Sequence, residues 1–280
     1  MKKGLVSIIT PAFRSEGCLA DAVKSVFSQT YSQWEMLIIS DDGVDYQRLL
    51  QNADIVDPRL SFYSSGSIQS GPNATRNVGL QHACGEWIAP LDADDVYYPD
   101  RIERLLAAAQ STGLALDNVQ VVGEHVDDGL GLDVGAKSFL NIEDVKSSLV
   151  PLLFLFHHRH ITQGWDPEVI RGADTLFNLR GLESAGRAGY VSEPLHEYRV
   201  HDQSMCHAPE SEDLFVDAYR HTLDRLRSDG LGFKSTNFRR VVIAMIEEKQ
   251  QINHDFSVAV DAGYKGNYQS FVQTNVLGAG

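Results

Sequence analysis

What most constrains this chain is a pattern repeated through its first hundred residues: a short apolar run, a polar cluster, then a stretch with helical spacing. Leu5-Val6-Ser7-Ile8-Ile9-Thr10 is apolar and β-branched and stops at Pro11, as a strand buried on both faces does. Leu19, Val23, Val26 and Phe27 then recur at i, i+4, i+7 and i+8, one face of a helix. Met36-Leu37-Ile38-Ile39 is the next strand, closed by the turn Ser40-Asp41-Asp42-Gly43. A weaker strand over Leu60 to Tyr63 leads through a Ser/Gly-rich loop to a helix from about Asn73 to Ala83, with Gly85 placed to stop it as a left-handed cap. Trp87 to Leu91 reads as a strand that runs into Asp92-Ala93-Asp94-Asp95. Pro99 then opens a helix with Ile102, Leu105, Leu106 and Ala109 on one face. This rhythm predicts an α/β fold, a mostly parallel sheet with helices on both faces. Ligands of such sheets bind beyond the carboxyl ends of the strands. The clusters Thr10-Pro11-Ala12-Phe13, Asp41-Asp42-Gly43 and Asp92-Ala93-Asp94-Asp95 are therefore expected to converge.

The rest of the chain is less regular. Val119 to Gly123 and Leu152 to Phe156 read as strands, Asp174 to Arg180 as a helix, and Tyr190 to Ser192 and Leu195 to Val200 as two late strands. From about Glu210 the pattern turns helical, with one stripe through Leu214, Ala218, Leu223 and Leu226 and another through Phe238, Val242, Met245 and Ile246. This divides the chain into a domain over 1–209 and a helical C-terminal extension over 210–280. The extension is expected to cover the sheet or to pair two copies as a homodimer.

Composition narrows the function classes. In 280 residues, 24 Lys and Arg face 38 Asp and Glu, a formal charge of −14, which argues against holding nucleic acid or an anionic membrane by bulk charge. No apolar run approaches the roughly 20 residues of a transmembrane helix, and the first residues do not read as a secretory signal. Three widely spaced cysteines (Cys18, Cys84, Cys206) fit neither a disulfide framework nor a zinc knuckle, and point to the cytoplasm.

Among these acids, Asp92-Ala93-Asp94 carries the clearest chemical signal. On an extended chain alternate side chains face one way, which would put the two carboxylates about 6–7 Å apart. Such a pair repels unless a cation compensates it, and Mg²⁺ or Mn²⁺ shared with substrate phosphates is the natural one. The competing reading is a helix cap or an exposed turn. His157-His158-Arg159-His160 lacks metal-site spacing and is expected to line the acceptor side, near Trp165. Trp165 is either a sugar-stacking platform there or a core residue. Gly66 to Gly71 has no P-loop pattern, and no Gly-X-Ser-X-Gly element is present.

Taken in order, Val6 to Phe13, Val26-Phe27-Ser28-Gln29-Thr30-Tyr31, Trp34-Glu35 to Asp41-Asp42-Gly43, Ala74-Thr75-Arg76-Asn77-Val78-Gly79-Leu80, and Cys84-Gly85-Glu86-Trp87-Ile88 to Asp95 resemble the opening of family 2 glycosyltransferases. The resemblance is strong over about 5–110, fainter to about 205, and absent from the last 70 residues. It implies a GT-A fold, with a nucleotide-binding part over about 1–112 and an acceptor-binding part over about 113–209. It also implies residue roles. Thr10, Pro11, Ala12 and Phe13 would lie against the nucleotide, Asp42 would accept from the base, and Arg76 would sit near base and ribose. Asp92 would contact the ribose or the metal, and Asp94 would ligate Mn²⁺ or Mg²⁺. The family's later acidic pair, at a helix start, supplies the catalytic base. Here Ala173 stands where the first acid usually is, which leaves Asp174 as candidate base, with a helix N-cap as its competing reading. Tyr198-Arg199-Val200-His201, with Ser204, resembles the closing motif, so Arg199 or His201 would approach the diphosphate or, for His201, the metal. The implied activity is inverting transfer from a nucleotide-diphospho-sugar, a UDP-sugar by preference, to a saccharide, a lipid-linked sugar or a small-molecule hydroxyl, in polysaccharide biosynthesis. The alternatives are a nucleotide-sugar-binding module without turnover and a sugar nucleotidyltransferase. For the latter the first loop offers only Arg14.

Overall fold

The computed structural model describes residues 1–123, 131–146, 148, 152–170, 172–200, 211–266, 268–272 and 274–275. The first apolar run forms β1 (Lys2–Ala12), followed by α1 (Leu19–Phe27), β2 (Trp34–Ser40), α2 (Tyr46–Asn52), β3 (Leu60–Ser64), α3 (Pro72–His82) and β4 (Gly85–Pro90). β2, β1 and β4 lie side by side and parallel, with β3 parallel at the edge. Their carboxyl ends therefore share one edge of the sheet, and the three polar clusters converge there as expected.

After β5 (Val96–Tyr97) and α4 (Arg101–Ala109) come β6 (Leu114–Gly123), β7 (Phe139–Leu140), α5 (Ile142–Val145), β8 (Phe154–His157), α6 (Ala173–Ala185) and β9 (Ala188–Val200). β8 runs antiparallel between β4 and β6, β9 pairs parallel with β6, and β5 and β7 pair antiparallel with β9. The parallel rhythm legible in the sequence thus covers β1 to β4, and the sheet beyond β4 is mixed. The two late strands are one, β9, whose register against β6 slips around Asn118 and Pro194. A proline without an N–H makes a continuous strand read as two.

Alternate side chains feed two cores. Ile9, Ile39, Ile88, Leu116 and Phe156 point to one face, and Ile8, Ile38, Ala89, Ala115 and Leu155 to the other. Leu19, Val23 and Val26 of α1, Leu50 of α2 and Leu105 of α4 cover the second face. The first is covered by Leu176, Leu179 and Leu182 of α6. It is also covered by Leu223 and Leu226 of α7 (Ser211–Ser228) and by Val242, Met245 and Ile246 of α8 (Thr236–Asp261). The C-terminal helices thus complete the core of this chain, the first of their two expected roles. The boundary at 209 falls outside the described residues. A short helix, α9 (Tyr268–Val272), follows.

Three local expectations change. Gly85 has no left-handed backbone; it begins β4, where a Cβ would lie 2.7 Å from the Leu5 carbonyl oxygen, so close strand approach is what requires glycine. α3 ends at His82, and Ala83 leaves it extended. The histidine run lies away from the Asp92 end of β4: because β8 is antiparallel to β4, His157 pairs with Trp87 near the start of β4, its ring edge-on to the indole at 5.0 Å. Among the described residues no helix is long and apolar enough to cross a membrane.

Candidate active site

At the shared edge, the loop after β2 is built on two aspartates. Asp41 is buried, and its carboxylate accepts from the backbone N–H of Ser70 at 3.0 Å and Gly71 at 2.9 Å, pinning the Ser/Gly-rich loop against the sheet. Asp42 accepts from the N–H of Arg14 at 2.5 Å and of Val44 at 3.0 Å, and from the hydroxyls of Tyr46 at 2.8 Å and Ser40 at 3.1 Å. Burial alone would raise its carboxyl; the four donors outweigh that and hold it below the usual range. Arg14 adopts φ +52° to make its bond, so this loop stores backbone strain at the site. Beside it, Thr10 and Ala12 turn their side chains into the interior, Pro11 is half-buried, and Phe13 is 39% exposed. Among the described residues the buried Thr10 hydroxyl has no hydrogen-bond partner.

β4 ends at Pro90, and Leu91 makes the last bond to β1, from its N–H to the Ile9 carbonyl at 3.0 Å. The chain then turns, with the Asp95 N–H on the Asp92 carbonyl at 3.2 Å. Asp92 and Asp94 are therefore on a turn, and the spacing reasoned from an extended strand does not apply to them. Asp95, which sequence reasoning left without a role, is buried. Burial and the charges of Asp92 and Asp94 push its carboxyl well above the usual range, against the N–H and charge of Arg199. Asp92, Asp94 and Asp95 neighbour one another, partly compensated by Arg76 and Arg199, and a group of hard carboxylate oxygens suits a divalent cation. Among the described residues no three His, Cys, Asp or Glu side chains are arranged to hold a metal by themselves. A divalent cation here would need ligands beyond the protein side chains, and Asp94 and Asp92 are the residues that could hold it.

Arg76 joins the turn after β4 to the start of α6. Carried on α3 and almost fully buried, it reaches Asp92 Oδ1 with Nη2 at 2.5 Å and Asp174 Oδ1 with Nη1 at 3.2 Å. Burial works to lower its pKa, but Asp174, Asp92 and Asp94 outweigh it and hold the guanidinium charged. Among the described residues its buried Nε has no hydrogen-bond partner.

Asp174 is the second residue of α6. The N-cap is Gly172, at φ +75° with no side-chain cap bond, so the capping alternative for Asp174 does not hold. Its carboxylate accepts instead from the Trp165 indole N–H at 2.8 Å, while 48% of the side chain faces solvent. The crowding of protein around it and the charge of Asp92 push its carboxyl up, opposed by Arg76 and the Trp165 N–H. Ala173 is buried against the apolar cluster, so Asp174 is the sole acid at this helix start. Trp165 is 2% exposed and stacks on Phe177 at 3.8 Å and 9°, which overturns the sugar-platform reading: the ring is already covered.

Arg199 directs its side chain to Glu197 at 3.1 Å and Asp21 at 3.3 Å, at the end of β9 beside the Asp95 backbone contact. His201 and Ser204 lie outside the described residues. The structure thus brings Arg76, Asp92, Asp174 and Trp165 into direct contact, and sets Asp42 within its own loop. Sequence reasoning missed Asn73 and Asn77, whose spacing with Arg76 on one face of α3 was the available signal.

The Glycosyl transferase family 2 profile matches residues 7–137. A Bacillus subtilis (strain 168) protein named as a teichuronic acid biosynthesis glycosyltransferase, TuaG, is 30% identical over 210 residues, 72% of this chain and 82% of its own. Two further curated glycosyltransferases match over only 38% and 51% of their own length. Among solved structures, S. aureus TarS 1-349 in complex with UDP-GlcNAc superposes with a TM-score of 0.68 at 16% identity, over 84% of this chain and 70% of that one. The mannosyltransferase PcManGT from Pyrobaculum calidifontis, in complex with GDP-Man and Mn²⁺, gives 0.54 at 14% identity, over 98% and 80%. The solved structures share the fold, and the similarity to TuaG spans 72% of this chain; the chain belongs to glycosyl transferase family 2.

Proposed function

We propose that the protein transfers a sugar, with inversion, from a nucleotide-diphospho-sugar to a hydroxyl of a growing polysaccharide or another saccharide-bearing acceptor. The observation that carries this reading is Arg76 spanning Asp92 and Asp174, which sets a candidate base within one side chain of the donor-side acids. Among the described residues no hydrogen bond reaches Asp174 Oδ2, the oxygen left to take a proton. A sugar hydroxyl is a poor nucleophile. As its oxygen bonds to the anomeric carbon its proton passes to Asp174, and the carbon–oxygen bond to the diphosphate breaks on the opposite face. That geometry inverts the anomeric centre. The leaving diphosphate gains negative charge, and a divalent cation at Asp94, when bound, would neutralise part of it. The complexes of fold neighbours with UDP-GlcNAc and with GDP-Man and Mn²⁺ support a nucleotide-sugar and a metal, and we favour UDP as the nucleotide. Two free thiols, Cys18 and Cys84, fit a reducing cytoplasm.

A panel of nucleotide-sugars read by thermal shift, with and without Mn²⁺, tests the donor, because specific binding stabilises the fold by mass action. Selective stabilisation by one UDP-sugar with Mn²⁺ is expected, followed by UDP release when acceptor is added. No stabilisation by any nucleotide-sugar would sink the proposal; binding without release would leave the non-catalytic module.

A further inference from the structure

Asp174 is held by a chain of contacts that starts on α3 and that neither the acid motifs nor the family match assigns. Asn77 makes a two-way bridge with the backbone of Trp165: its Oδ1 accepts the Trp165 N–H at 2.8 Å and its Nδ2 donates to the Trp165 carbonyl at 2.7 Å. One helical turn earlier, Asn73 Nδ2 donates to the carbonyls of Asp166 at 3.0 Å and Val169 at 2.8 Å. Both asparagines thus clamp one loop, 164–169. A Cβ at Gly164 would overlap the Asn77 amide, so the close approach needs glycine there. The far side of the loop is tied by Arg180, whose Nη2 donates to the Gly164 carbonyl at 2.7 Å, and by Arg225 of α7, which reaches Asp166 and Glu168. The Phe177 ring fixes the Trp165 plane, leaving the indole N–H aimed at Asp174 Oδ1.

We propose that Asn77 and Trp165 are positioning residues for the proton-accepting carboxylate: Asn77 sets the height of the loop, and Trp165 occupies Oδ1 so that Oδ2 faces the acceptor. This rests on Asp174 being the base. The same helix carries Arg76, three residues after Asn73 and next to Asn77, into an ion pair with the same Oδ1 at 3.2 Å. α3 therefore sets the orientation of both groups that hold Asp174. A charge-assisted N–H bond favours the ionised carboxylate, which a base must be in to accept a proton.

Trp165→Phe keeps an aromatic ring for the stack on Phe177 and removes the N–H together with the pyrrole part of the buried indole. Its test is a ¹³C NMR titration of the Asp174 carboxyl in the full chain, beside the pH dependence of kcat/KM for sugar transfer. The expected result is an Asp174 pKa higher by about one unit, the acid limb of the rate profile moved up by the same amount, and a donor KM within about twofold of the parent. Asn77→Ala, which leaves Trp165 intact, should move both readouts in the same direction by less, and serves if Trp165→Phe fails to fold. An Asp174 titration unchanged in both variants, or a lower kcat with an unmoved acid limb, would overturn the positioning role and leave a structural one. Full transfer by Asp174→Asn would instead remove the base itself, and the proposal with it, whatever the titration shows.

Discussion

As the proposed base, Asp174 combines two properties that conflict. Arg76 and Trp165 favour its ionised form; crowding and Asp92 oppose it and keep it basic enough to accept a proton. Replacing it with asparagine keeps the shape and removes the proton acceptor. Asp174→Asn is expected to lower kcat by about 10²- to 10⁴-fold while thermal shift still reads donor binding. Because its carboxyl is raised, activity of the parent should be lost as pH falls through a midpoint above the usual carboxylate range, and kept above it. In the proposed mechanism Asp94 belongs to the donor end. In Asp94→Ala, UDP affinity measured by calorimetry should no longer depend on Mn²⁺; unchanged metal dependence would move the cation elsewhere. Asp42 is legible in the sequence as a polar turn after a strand. Its four intramolecular donors come from residues 14, 40, 44 and 46, and no local pattern reveals that set.

At the scale of elements, α4, β6 and β9 are joined by a buried ionic cluster. Arg101 is fully buried and forks onto Asp117 at 2.8 and 3.1 Å, and His196 Nδ1 meets the same carboxylate at 2.8 Å. Burial would raise the Asp117 carboxyl, but Arg101 and His196 outweigh it and hold it at about 2. Its folded pKa is thus depressed below the ordinary value of about 3.9, so its contribution is whole above that value and is lost as pH falls toward 2. Asp117→Asn leaves Arg101 buried without its charge partner and should cost about 3–5 kcal/mol in urea unfolding at pH 7. The same comparison at pH 3 should show a smaller gap. The longer strands and helices were readable by type, since buried strands and amphipathic helices declare themselves by period, while the short α2, α5, α9, β5 and β7 were not read. The direction of β8 was not, because antiparallel and parallel neighbours can present the same short apolar run; that is why the histidines after it were expected at the wrong end.

Over the whole molecule, the C-terminal helices and the sheet make one core. Leu226 of α7 is fully buried in the cluster that contains Ile9, Ile88 and Phe177. Leu226→Ala should therefore cost about 2–5 kcal/mol and lower the midpoint of a single thermal transition. Two separated transitions, with only the later one unmoved, would indicate an independent appendage. The same packing brings Arg225 of α7 onto the loop that carries Trp165, so the extension reaches the site through that loop.

The sequence alone determined the parallel β1–β4 unit, the acids at its carboxyl edge and Asp174 as candidate base, because each depends on local period or on motifs met in order along the chain. Tertiary structure decided what those acids touch. It placed Arg76 between Asp92 and Asp174, buried Trp165 as a donor to Asp174, turned Asp92–Asp95 out of the strand and brought α7 and α8 into the core. Each of these pairs groups far apart in the chain, and such pairings are set by the packing of whole elements, which no local window of sequence records.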